Sequence, residues 1–411
     1  MKNSKMFKKV FAICLMAVML LTTVACGSSG SGSGNNASGG AGGEVIKVGH
    51  FGPLTGAISL SGQEAEKGAR LRVTQINEAG GIDGKQIEFI AYDDKGTPEG
   101  AVKAVTRLLD EDKVNVILGS QLSANVQAVG DRIEKAQIPL VGTGVGPVWL
   151  QQGWTYLFRS VANSTNGAGP LVDAMEEVGT TRLGVLVYQD EGSRSASTLV
   201  LDEIAKRGNI EVTTEEVFQP NDTDWTGQFS KILATNPDGI MLFAQGEHVG
   251  PMMMQLRGLG YKGYVYGPET MSLPDIRKIA SSDADGIVFF APHCIPDSVE
   301  EANSDKEKAF LEAFVAEYGS MPVSDVAYRT YDAMTVIEAG LSDANGSLDG
   351  TAIRDAIKNQ SALELLAGTA DYTAFDNGEG LTSMQIFITD EGKNKLFTDY
   401  IENNPADKYK P

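Results

Sequence analysis

Residues 114–147 read VNVILGSQLSANVQAVGDRIEKAQIPLVGTGVGP. The β-branched apolar run Val114 to Gly119 predicts the end of a strand, and a polar turn follows through Ser123. Apolar residues at Val126, Val129 and Ile133 recur with helical spacing, which predicts a helix over Ala124 to Ala136. IPLV, Ile138 to Val141, predicts a second strand, and GTGVGP, Gly142 to Pro147, a glycine-rich loop after it. Strand, helix and strand in this order make a parallel pair whose ends deliver two loops to one edge of a sheet. Small ligands bind in the crevice outside that edge, where a helix N-terminus offers unpaired N–H groups to an anion.

Outward from this stretch the same rhythm continues. IKVGHF, Ile46 to Phe51, predicts a strand before a helix opening at Ser61, with Glu64 three residues on as a capping box. The helical spacing runs through Ala69, Val73 and Ile76 and stops at Ala79-Gly80-Gly81. KQIEFIAYDD predicts the next strand; Thr97 caps and Pro98 starts a helix running to about Asp112. After Arg159 come RLGVLVYQD, a helix near Ser195 to Arg207, IEVTTEEVF, a helix near Asp224 to Ala234, DGIMLFAQG, a helix from Pro251 to Leu259, GYVYGPE and DGIVFFAPH. Helices near Lys306–Tyr318, Val326–Gly340 and Thr351–Lys358 follow, then a hairpin-like pair of strands around Asp376–Gly380. The fold class expected is α/β, with two doubly wound parallel-sheet lobes joined by a three-segment hinge near 160–165, 290–296 and 368–374. The expected division is 44–161 plus 293–370 for the first lobe and 162–292 plus 371–411 for the second.

A length of 411 residues, 42% hydrophobic and 21% charged, suits two globular units. Lys2, Lys5, Lys8 and Lys9 precede an apolar run, Val10 to Leu21, that is too short to span a membrane, so residues 1–25 read as a signal peptide. TTVAC resembles the lipobox of bacterial lipoproteins, with Thr23 where leucine is usual, and makes Cys26 the expected lipid attachment point. Gly27 to Gly43, almost all Gly, Ser, Asn and Ala, is a tether. The other cysteines are Cys14, inside the signal, and Cys294, read as a buried thiol. A formal charge of −20 argues against a nucleic-acid partner, which requires a basic footprint.

Catalytic and metal constellations are missing from the pattern. Asp93 and Asp94 are adjacent on a strand end and point to opposite faces, so they read as loop and cap hydrogen-bonders and not as an acid/base pair. His50, His248 and His293 are scattered without metal-ligand spacing, and GSRSA around Ser193 lacks the nucleophile-elbow form. No enzyme, metal or cofactor is expected. GTGVGP has the G-x-G of a dinucleotide loop, but Pro147 and WLQQG open no helix on those glycines and no spaced acid follows. From the bare residues alone Ser123 reads as a helix N-cap, and Glu269 as a solvated loop acid.

VGHFGPLTGAISLSGQEAEKGARLRVTQINEAGGIDGKQIEFIAYDDKGTPEGAV, the loops at Gly119 and Gly142, GPE at Gly267 to Glu269 and Tyr331-Asp332-Ala333 together resemble type I periplasmic binding proteins. Within these the chain is most similar to the branched-chain amino-acid-binding proteins that serve ABC transporters, over roughly Val45 to Phe397. The resemblance implies a solute-binding protein that closes on its ligand by hinge motion and delivers it to a permease, tethered by lipid to the outer face of the cell membrane. It implies that Ser123 and Thr143-Gly144-Val145 hold the ligand's α-carboxylate, and that Glu269 meets its ammonium. Val145 stands where the family carries a threonine that helps hold the amine; Ser61, Ser193 and Gln245 align with tyrosines around the ligand. These departures leave open whether the ligand is a branched-chain amino acid, another amino acid or a related carboxylate. A sensory protein of the same fold, signalling to a membrane partner, is the alternative function.

Overall fold

In the computed structural model, residues 45–411 are described, except 57, 220, 293, 303 and 383. The expected signal peptide, Cys26 and the tether lie outside the described residues. Five strands form the first sheet: β1 (Ile46–Gly52), β2 (Ile87–Asp93), β3 (Val116–Leu118), β4 (Leu140–Gly142) and β5 (Leu157–Arg159). Helices α1 (Ser59–Glu78), α2 (Pro98–Arg107) and α3 (Ser123–Ala136) connect them, and every pairing is parallel in the order β2-β1-β3-β4-β5. The chain then builds α4 (Thr165–Glu177), β6 (Arg182–Tyr188), α5 (Glu191–Arg207), β7 (Glu211–Phe218), α6 (Thr226–Leu233), β8 (Gly239–Phe243), α7 (Gly246–Gly258), β9 (Tyr264–Gly267), α8 (Pro274–Ala280) and β10 (Ile287–Ala291). Their parallel order, β7-β6-β8-β9-β10, repeats the winding of the first sheet.

The chain returns to the first sheet with α9 (Asp305–Tyr318), α10 (Val326–Asp343), α11 (Gly350–Lys358) and the hairpin β11 (Leu363–Leu365) to β12 (Gly368–Ala370). It ends on the second sheet with β13 (Gln385–Asp390), β14 (Lys393–Leu396) and α12 (Phe397–Asn403). β13 and β14 add antiparallel strands to the β10 edge. The third crossing falls between Leu381 and Gln385, beyond the expected 368–374, because Tyr372 and Leu381 are packed in the core of the first sheet. The tail hairpin turns at Glu391-Gly392, not at Asp376–Gly380: there Gly378 accepts the N–H of Arg159, and the backbone is committed to the first sheet.

Each sheet is apolar on both faces because successive strand residues point opposite ways. Val48, Val116 and Leu118 face α1, α10 and α11, while Ile117 and Phe51 face α2 and α3. In the second sheet Ile240 and Leu242 pack on α6 and α7, and Met241 and Phe243 on α4 and α5. Met252 and Met253 of PMMMQL belong to this core. Their helix starts at Gly246, earlier than the expected Pro251, which stands inside the helix at the cost of the bond an N–H there would give to the carbonyl of Glu247. Cys294 is buried, accepts a hydrogen bond from Asn394 Nδ2 and is pushed up to about 12 by burial.

The capping box at Ser61 does not form. α1 begins at Ser59 without a side-chain cap, Ser61 accepts from Gln121 Nε2, and Glu64 is drawn inward to accept from Val323 N and pair with Lys67. Thr97 does cap α2, accepting from Gly100 N. Asp93 accepts from Leu54, Thr55 and Lys95 N–H, and Asp94 from Gly96 N and Asn125 Nδ2, which are the loop roles expected; the cap belongs to Thr97 instead. Asp332 accepts from the N–H groups of Leu366 and Ala367, tying β11 and β12 to α10, and burial pushes its carboxyl up to about 7.

Candidate functional site

The strand order 2-1-3-4-5 has its switch point between β1 and β3, and the crevice of such a sheet lies beyond the carboxyl ends of its strands. Ser123 follows β3 at that edge. It is the first residue of α3, one place inside the expected N-cap, because Leu122 takes the extended backbone of the cap position. Ser123 Oγ accepts the N–H of Gly146 at 3.0 Å and thereby joins the loop after β4 to the helix start. Its own O–H is left to donate. Among the described residues the N–H groups of Ser123 and Ala124 have no backbone acceptor, as the first turn of a helix requires, so three donors gather where the helix dipole is positive.

The glycines of GTGVGP are demanded by this contact. A Cβ at Gly144 would lie 2.7 Å from Ser123 Oγ, and one at Gly146 2.9 Å from it. Both are closer than atoms of these types approach, so the loop and the helix start meet only without side chains. Thr143 is fully buried and its Oγ1 has no partner.

Arg159, at the end of β5, was not singled out from the sequence. It is completely buried; Nη1 donates to Val145 O at 3.1 Å and Nη2 to Gly146 O at 2.6 Å. Its guanidinium lies 4.5 Å from the centre of the Trp149 ring, and Trp149 Nε1 donates to Gly144 O. The loop's carbonyls are thus turned onto Arg159 and Trp149. Nε sits 3.6 Å from Glu379 Oε2, and Glu379 Oε1 accepts from Asn163 Nδ2. Burial lowers Arg159 to about 10, which leaves it charged at neutral pH. A buried arginine closing the apolar run LFR is the signal that could have found it, since charges are seldom buried without a task. Trp149 is packing beneath the loop.

The second sheet has its switch point between β6 and β8. Ser193 lies in the first turn of α5 and gives its N–H to the capping carboxylate of Asp190. Gln245 holds the extended cap position of α7, half-buried, with no side-chain cap bond. Glu269 directly follows the Gly-Pro after β9 and is 7% exposed. That burial excludes the solvated-loop reading. Burial raises its carboxyl pKa and the Arg329 guanidinium opposes the rise. Glu269 Oε1 is 3.9 Å from Arg329 Nη2, while Oε2 has no hydrogen-bond partner among the described residues. Arg329 belongs to α10, and its backbone carbonyl accepts from Ser160 Oγ at the end of β5. The Glu269–Arg329 pair therefore joins the carboxyl edges of the two sheets. Tyr188 and Phe218, at the ends of β6 and β7, Trp225 before α6 and His248 in the first turn of α7 form an aromatic cluster, with ring centroids 5.1–6.1 Å apart.

Ser123, Thr143, Gly144 and Val145 thus share one edge, with Ser61 reached through Gln121; Glu269, Gln245 and Ser193 share the other. A surface depression lined by Asp110, Lys113, Arg132 and Lys135 sits at the amino ends of β3 and β4, the wrong end of the sheet for this fold's ligands.

The sequence model of the periplasmic binding protein family matches residues 45–394. Leu/Ile/Val-binding protein homolog 3 of Brucella melitensis is 24% identical over 351 residues, which are 85% of this chain and 92% of that protein. A leucine-, isoleucine-, valine-, threonine- and alanine-binding protein of Pseudomonas aeruginosa is 25% identical over 77% of this chain and 82% of its own length. Among solved structures, the branched-chain amino acid substrate-binding protein LivJ of Streptococcus pneumoniae, in complex with isoleucine, superposes with a TM-score of 0.74 at 23% identity. The alignment covers 86% of this chain and 98% of LivJ. A solute-binding protein of an ABC transporter from R. palustris, in complex with benzoate, gives a TM-score of 0.74 at 18% identity, covering 86% of this chain and 95% of that one.

Proposed function

The chain belongs to the periplasmic binding protein family, and on that premise we propose that it is the extracytoplasmic solute-binding subunit of an ABC importer. It binds an amino acid or related small carboxylate between its two sheets and passes it to a permease. The ligand carboxylate docks on Ser123 Oγ, the N–H groups that open α3 and Thr143 Oγ1, where a helix dipole and the nearby Arg159 favour negative charge. Its ammonium meets Glu269 Oε2. Two lobes, with 371–381 counted in the first because Tyr372 and Leu381 pack in its core, move about the three crossing segments and close over it, as in other hinged binding proteins. A lipid on Cys26 holds the protein to the outer face of the cell membrane.

The observation that carries this reading is a complementary pair of unfilled groups. One edge keeps donors without acceptors, and the other keeps a buried carboxylate oxygen without a donor. Buried polar atoms are rarely left so, and a zwitterion answers both. The relatives' names, which speak of leucine, isoleucine, valine, threonine and alanine, support an amino acid. Val145, Ser61, Ser193 and Gln245 line these edges with other chemistry than the family's, and Ser193 and Gln245 favour a ligand with a polar group.

A thermal-shift screen against amino acids, amides, aromatic acids and small peptides tests the proposal. A ligand at a hundred times its Kd adds about 2.7 kcal/mol of stability. Shifts produced only by compounds lacking an amino group would remove Glu269 from the ammonium role.

A further inference from the structure

Arg329 enters the cleft from the first lobe, yet nothing in the family resemblance gives it a role. It is 8% exposed, so its charge is out of water. Nε and Nη2 both donate to Asp325 Oδ2 one helical turn earlier, which fixes the guanidinium plane. Asp325 occupies the cap position of α10 but makes no cap bond; its carboxylate serves Arg329 instead. Held in this way, Nη2 faces Glu269 Oε1 across the cleft at 3.9 Å, an ion pair too long to be a hydrogen bond. A fully hydrogen-bonded Arg–Glu pair would use up the carboxylate. This one leaves Oε2 bare.

We propose that Arg329 is a positioning residue for ligand selection: anchored by Asp325, it stabilises the charge of Glu269 through Oε1 across the cleft and leaves Oε2 as the receptor for a cationic group of the ligand. The inference rests on Glu269 as the ammonium receptor and adds what makes that role workable. An isolated buried carboxylate takes up a proton rather than remain charged in a poorly solvated site, and a protonated Glu269 would be a poor receptor for an ammonium. The charged groups facing Glu269 are Arg329 and Asp325, of which Arg329 favours its ionised form and Asp325 opposes it. Because the pair spans both sheets, it forms when the lobes are together and adds to their closure.

The test follows the titration of Glu269 itself. In the full chain with 13C-labelled glutamate, the Glu269 carboxyl resonance is assigned by its loss in Glu269→Gln and followed against pH. Arg329→Gln should raise its midpoint by roughly 1–3 pH units, the range for a lost opposite charge at this distance. Arg329→Lys should stay near the wild type. Asp325→Asn, which needs no change at Arg329, should lower the midpoint. An unchanged midpoint in Arg329→Gln, an equal rise in Arg329→Lys, or no fall in Asp325→Asn would overturn the proposal. Should Arg329→Gln fail to fold, the Asp325→Asn and Arg329→Lys results still decide it. A separate arm adds L-isoleucine, L-glutamine and benzoate. If the titrations run as stated and neither amino acid but benzoate raises Tm, the ammonium reading of the ligand fails while the Arg329–Glu269 coupling stands.

Discussion

The two sheets share one winding order, but their ligand-side edges are finished differently. At the first edge the helix start and the glycine loop are bonded to each other: Gly146 N to Ser123 Oγ, and Arg159 to two loop carbonyls. Thr143 Oγ1 is still left over there, while at the second edge Glu269 Oε2, His248 Nδ1 and Trp225 Nε1 are buried without partners among the described residues. On the function proposed, the first edge is preorganised for a group that every amino acid shares, the carboxylate, and needs little rearrangement to receive it. On the same reading, the second leaves more of its unsatisfied atoms for the ligand to complete. Discrimination belongs there, because a ligand that fails to pair a buried polar atom is penalised more than one that merely makes fewer contacts.

The largest effect that would break this contrast is at the staple. Arg159→Met should destabilise the fold by about 3–5 kcal/mol, because it strands the buried Glu379 carboxylate, and should abolish binding of every carboxylate ligand. Urea unfolding measures the first, calorimetry the second. Adding Glu379→Gln should return part of the stability and none of the binding.

Next is the loop contact. Ser123→Ala removes a donor to the ligand and the acceptor of Gly146 N, and should weaken all carboxylate ligands alike by about 1–3 kcal/mol in calorimetry. Gly144→Ala, whose Cβ would strike Ser123 Oγ, should cost a similar amount, about 1–3 kcal/mol. A variant at either position that reorders ligands, instead of weakening them together, would contradict a first edge that recognises only the shared group.

Glu269→Gln should do what those do not. It should weaken amine-bearing ligands by about 1.5–3 kcal/mol relative to their des-amino analogues, read from paired titrations. Gln245→Ala is expected to be the mildest: a half-buried side chain without a cap bond should change overall affinity by less than about 1 kcal/mol while still altering the order of preference among side chains.

Much of the first edge was legible. Strand, turn, helix and glycine loop are encoded within 34 consecutive residues, 114–147, and their periodicities are local properties of the chain. Ser123 could be named because a helix start is a local event. Arg159 offered only the hint of a charge closing the apolar run LFR, and the tasks of Arg159 and Arg329 were not legible, since Glu379 and Glu269 lie far off in sequence. The capping box at Ser61 shows the opposite failure. A correct local motif was overridden because Glu64 turned inward to accept the N–H of Val323.

The sequence by itself determined the α/β class, the strand–helix alternation and the helix start at Ser123, all set by hydrophobic period and glycine placement over short spans. Only the tertiary structure decided which charges were buried, which met across the two sheets and which were left unpaired. Those depend on desolvation and on distances between segments hundreds of residues apart, and no local pattern records them.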